Sequence, residues 1–164
     1  MDDELLQIVG GLRRVFEGGA WHGPSVVEAL DGVSAADAAA RPVRTSHTIY
    51  ELTHHIAAWK GEVTRRLEGG EAGEPADGDW PDPGVAVDRS HWEAVTARLA
   101  ARQVALLDAV LAFDAGRLGE TVRSEASAAS GAGGTFRAML HGTMQHDAYH
   151  AGQIVLLKKA LHPA

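Results

Sequence analysis

Apolar residues recur along this chain at helical rather than strand spacing. Leu5, Ile8, Val9, Leu12, Val15 and Phe16 follow an i, i+3, i+4 pattern that predicts a first helix ending near Gly18-Gly19. Pro24 is placed to occupy the first turn of a short helix running through Val26, Val27 and Leu30. Ser34-Ala35-Ala36-Asp37 has the form of a capping box, and Arg41-Pro42 closes the helix it opens. Thr48-Ile49-Tyr50-Glu51 has the same form and predicts a long helix starting at Ser46 or Thr48 and running to about Glu68, with Ile49, Leu52, Ile56, Trp59, Val63 and Leu67 as its buried stripe. Asp88 caps a third long segment carrying Trp92, Val95, Leu99, Leu106, Val110 and Phe113, with Gln103 on the same face. Thr135 caps a fourth, in which Phe136, Met139, Leu140, Thr143, Ile154, Leu157 and Leu161 form one stripe. Nothing alternates convincingly as a strand. The expected fold class is all-α, most simply a four-helix bundle in a single domain over residues 1–164.

Between these segments the composition changes. Residues 69–88 are rich in Gly, Pro, Asp and Glu and read as a loop, long for a compact domain and therefore either a plain connection or a functional lid. Trp80 is the expected anchor that pins it to the body. The stretch from Thr121 to Gly134 reads as an irregular connector. Substrate selectivity is expected to reside in these two segments.

The chemistry lies in histidines. His146 and His150 are four apart, one above the other on a helix, and both fall inside the apolar stripe rather than opposite it. Such a pair is either packed core or part of a metal site, and a third ligand decides between them. On the helical wheel of the second long segment His55 lies at the edge of the apolar face and His54 points away, so His54 is expected to be exposed. Asp147 also projects inward, whereas His141, Gln145, Tyr149 and Leu156 point elsewhere. Asp147 is a candidate either to orient a ligand histidine, to act as a base, or to serve only as an ionised side chain with a partner. His22, just ahead of a helix start, reads as a capping or surface residue or as part of the site.

Composition narrows the classes. With 164 residues, 45% hydrophobic and 23% charged, the chain suits one soluble domain. A formal net charge of −7 and the lack of basic runs exclude the electrostatic footprint of a nucleic-acid binder. No cysteine is present, which removes thiolate ligands and a cysteine nucleophile and leaves histidine and carboxylate as the strong ligands. No basic and apolar leader and no 18-residue apolar run occur, so a cytoplasmic protein with no membrane partner is expected.

Three motifs carry a family resemblance: His-Asp-Ala-Tyr-His-Ala-Gly-Gln-Ile at 146–154, Glu-Leu-Thr-His-His-Ile-Ala-Ala-Trp at 51–59, and Ala-Trp-His-Gly-Pro-Ser at 20–25. In their order and spacing they resemble the DinB/YfiT-like superfamily. That resemblance implies a four-helix bundle of up-down-down-up topology, often a homodimer, with a divalent metal held by one histidine of the second long helix and two of the last. Carried onto this chain, the ligands are His55, His146 and His150, the three that the wheel brings together. Three imidazoles leave coordination positions open, as in catalytic sites, and suit zinc or nickel, with iron and manganese possible. The resemblance also implies a small-molecule substrate and either a transferase using a low-molecular-weight thiol or a metal-dependent hydrolase. Asp147 is then the candidate catalytic residue, and His22, Gln153 and Trp80 are candidate substrate contacts. The competing class is a non-catalytic metal-binding or dimeric stress-related bundle protein. The spacing of His146 and His150 also resembles the zincin helix motif, but Asp147 stands where that motif has its glutamate, and too little chain follows for its third ligand.

Overall fold

A computed structural model describes residues 2–82, 84–123 and 134–162. Among them are six α-helices, one 3₁₀ turn at Ala115–Arg117 and no strand, so the expected all-α class holds. The helices are α1 (Asp3–Glu17), α2 (Val26–Leu30), α3 (Ala35–Ala39), α4 (Ile49–Leu67), α5 (Arg89–Ala112) and α6 (Phe136–Leu161). The connector expected over 121–134 lies largely, at 124–133, outside the described residues.

Each helix starts where a side chain can take up free backbone N–H groups. Ser25 with Glu28, Ser34 with Asp37, and Thr48 with Glu51 form reciprocal capping boxes at α2, α3 and α4. Asp2, Asp88 and Thr135 cap α1, α5 and α6. One expectation shifts: Pro24 precedes the cap at Ser25 and so lies outside α2 rather than in its first turn. Ser25 is a good cap and proline cannot supply a capping side chain, which moves the boundary by one residue.

The four long helices pack around a shared interior, α4 against α5 and α6, and α1 against α5 and α6. Gly11 allows α1 to approach α6 closely, since a Cβ there would come within 2.5 Å of Met144 Sδ. The interior has two apolar clusters at opposite ends. One joins Leu5, Leu12, Val63, Leu106, Val110 and Leu140. The other joins Phe16, Leu52, Ile56, Leu99, Ala151 and Ile154, with α2 and α3 closing that end through Val26, Ala29 and Ala38.

Between the clusters runs a polar layer. Lys60 on α4 and Asp147 on α6 are 1% and 0% exposed and form an ion pair at 2.5 Å. Lys60 Nζ also donates to Gln103 Oε1 on α5 at 2.8 Å, and Gln103 Nε2 donates to the carbonyl of Leu12 on α1 at 3.2 Å. All four long helices are therefore tied by one chain of hydrogen bonds. A buried pair of this kind contributes little net stability beside an apolar replacement, but removing one partner strands a charge in the interior.

Two outcomes are expected in denaturant unfolding. Lys60→Ala lowers stability by about 3–5 kcal/mol, whereas Lys60→Met with Asp147→Leu recovers most of that loss. Thr48→Ala removes the cap of α4 and costs about 1 kcal/mol, read as a lower midpoint at unchanged slope.

Candidate functional site

At the level of this polar layer, α4 and α6 bring three imidazoles together. One ring nitrogen each of His55, His146 and His150 lies within 4.8 Å of the other two, and this group could hold a metal ion. The ring centroids are 4.9 Å apart for His55 and His146, 4.8 Å for His55 and His150, and 4.4 Å for His146 and His150. His55 and His150 are buried and His146 is half-buried.

Hydrogen bonds to the outward nitrogens fix which nitrogen two of the rings, His55 and His150, present. His55 Nδ1 lies 3.1 Å from the carbonyl of Asp79 and 2.9 Å from its Oδ1, two acceptors that require an N–H at Nδ1. Its Nε2 is then a lone pair, 2.9 Å from His146 Nε2. His150 Nδ1 donates to Gln153 Oε1 at 2.7 Å and likewise leaves Nε2 free. With imidazole–metal bonds of about 2.0–2.1 Å, adjoining ligand nitrogens sit roughly 3 Å apart, and the His55–His146 separation fits that requirement. Burial favours the neutral form of two of the rings, the form a ligand must have: it pushes His150 down to about 4 and His55 below the usual histidine range, in both cases against the pull of the hydrogen bonds just described. The donor set therefore suits a divalent ion that accepts imidazole.

The segment after α4 completes the site. It leaves Leu67 and runs back along α4: Gly73 N donates to Glu62, Arg102 on α5 pairs with Asp77, and the Gly78 and Asp79 carbonyls lie against His54 and His55. Trp59 Nε1 donates to Asp79 Oδ1 at 2.6 Å. Trp80 lies flat between two imidazoles, 4.1 Å from His55 with 7° between the planes and 3.5 Å from His47 with 1°. It anchors the segment as expected, and it does so on a histidine of the cluster.

The same segment overturns the reading of His54. That residue is buried, not exposed: Arg98 donates to its Nδ1 at 2.8 Å and its Nε2 lies 3.2 Å from the Gly78 carbonyl. The wheel turned it away from the apolar stripe of α4, but Arg98 of the neighbouring α5 and the Gly78 carbonyl of the loop cover it there. Asp147 points inward behind the rings and is engaged by Lys60. Its Oδ1 has no hydrogen-bond partner and lies 3.9 Å from His146 Nδ1. Gln153 stands beside His150. His22 is exposed and makes no hydrogen bond, ion pair or ring contact with the cluster or with any other described residue.

Lys60, His47 and Asp79 were not singled out from the sequence. Lys60 carried a usable signal, since it falls on the apolar stripe of α4 about three turns after Ile49, where an unpaired lysine does not belong. His47 and Asp79 carried none, because loop conformation brings them in.

No curated protein and no solved structure matches the chain. The family model of the DinB superfamily matches residues 21–154, a span that contains all three clustered histidines together with α4, α5 and most of α6. On that match the chain belongs to the DinB superfamily.

Proposed function

We propose that the chain is a metal-dependent enzyme in which His55, His146 and His150 hold a divalent ion, and that it transfers a low-molecular-weight thiol to a small electrophilic substrate. The observation that carries this reading is the convergence of three imidazole nitrogens from α4 and α6, two of them fixed by hydrogen bonds on their far side. Zinc or nickel suits the donor set best, and iron and manganese accept it too. When bound, such an ion lowers the pKa of a coordinated thiol or water and makes it a nucleophile near neutral pH.

The protein's own groups supply position and shelter. Asp79 and Gln153 hold His55 and His150 in the tautomer that presents Nε2. Trp80 covers one face of His55 and keeps water from it. Clefts on either side of the histidines give reactants access. One of about 220 Å³ is lined by Trp59, Val63, Arg66, Met139, Thr143 and His146, and another of about 310 Å³ reaches Gln153. Hydrolysis is the second reading, with water in place of the thiol.

The up-down-down-up bundle belongs to the same proposal, and contacts of rising or falling residue number support it. Glu4 meets Arg137 and Gly11 meets Met144, so α1 and α6 run alike. His54 meets Arg98 and Lys60 meets Gln103, so α4 and α5 run alike. His55 meets His150 while Lys60 meets Asp147, which sets α4 against α6.

Metal content of untagged protein, measured by plasma mass spectrometry, is the first test. Wild type is expected to hold about one divalent ion per chain, and His55→Ala and His150→Ala to fall at least tenfold below it. Metal-loaded wild type should then consume an electrophile only with thiol present. Turnover in water alone selects the hydrolase, and wild type that cannot be loaded with any of the four metals overturns the enzymatic reading.

A further inference from the structure

The larger cleft flanking the histidines has a chemical character of its own. It is lined by Val43, Leu52, Leu156 and Leu157, with Thr45, Ser46, His47 and Gln153 at its polar edge. Its volume, about 310 Å³, falls in the range of small-molecule sites. Two residues of its polar edge touch the histidine cluster or its cover: Gln153 accepts from His150, and His47 stacks on the Trp80 ring that covers His55.

Hydrogen-bond accounting gives the polar preference. The Oε1 of Gln153 is taken by His150, which leaves its amide N–H groups as donors without a partner. The hydroxyl of Thr45 has no partner either. Across the cleft, Leu156 is 67% exposed, a large apolar side chain left in water at the rim.

We propose that this cleft is the substrate site of the reading above, and that it takes a small molecule with a linear or compact apolar body and a carbonyl or carboxylate head. The apolar body lies against Val43, Leu52, Leu156 and Leu157. The head accepts from the Gln153 amide, which places it next to His150. The inference rests on the metal-centre reading only for the role of the cleft in turnover; the binding chemistry belongs to the cleft itself.

The test uses butanoate, hexanoate and octanoate, and alkylammonium ions of the same lengths, titrated into methyl-labelled protein with and without zinc. The expected result is saturable shifts of the Leu52, Leu156 and Leu157 methyls, with affinity for the acids rising roughly fourfold per added methylene until the cleft is filled. The ammonium series should bind at least tenfold more weakly, although a net charge of −7 favours cations in general. Leu156→Glu, at an exposed position that folding does not need, should weaken octanoate at least tenfold, and Leu156→Met should restore it. Absence of saturable shifts, absence of chain-length dependence, or equal binding of acids and ammonium ions overturns the proposal. So does a wild-type dimer that Leu156→Glu dissociates, because a second copy then fills the cleft. Binding that persists in zinc-free protein supports the cleft even if no metal can be loaded, which separates its failure from failure of the metal centre.

Discussion

The buried ion pair of Lys60 and Asp147 is the constraint on which the interior depends. Apolar contacts are non-directional, so the two apolar clusters by themselves say less about the register of α4, α5 and α6 than a polar contact does. A lysine and an aspartate with no access to water do not slide. They must meet, and Gln103 must meet them, or a charge and an amide are left without partners in the core. Their meeting sets the height of α6 against α4. That height in turn decides that His146 and His150, one residue before and three after Asp147, arrive opposite His55.

The geometry of the histidines thus has two separate sources. Helix register brings the rings to one place, and oxygen acceptors on the far side choose the nitrogen that His55 and His150 present. Register comes from the core. The acceptors come from a helical neighbour, Gln153, and from a loop, Asp79.

This division explains what the sequence could convey. Helical periodicity encodes direction, so His55, His146, His150, Asp147 and Gln103 were legible as inward-facing residues; the capping box at Ser34 marked a helix start, and the one at Thr48 marked the start of α4 to within the choice between Ser46 and Thr48. Loop conformation has no such periodicity. His54 was misjudged because its cover is the Gly78 carbonyl together with Arg98 from across the bundle, and the share of the site belonging to Asp79 and His47 could not be read at all. Lys60 was legible and overlooked, since a charge in an apolar stripe is easily taken for noise unless its partner is sought across the bundle. His22, suggested by a motif rather than by a wheel, is exposed and makes no contact with the clustered rings.

The Trp80 sandwich has a stereochemical consequence. An imidazole alone can turn over by rotating about its Cβ–Cγ bond, which puts the ring carbons Cδ2 and Cε1 where Nδ1 and Nε2 stood. His55 cannot do so in place: a flat indole lies along one face and two oxygens of Asp79 hold its edge. For the ring to turn over, the residues around 79 and 80 would have to lift away from α4 and carry the indole off His47 as well. The choice between two chemically similar atoms of one side chain is therefore made 24 residues downstream.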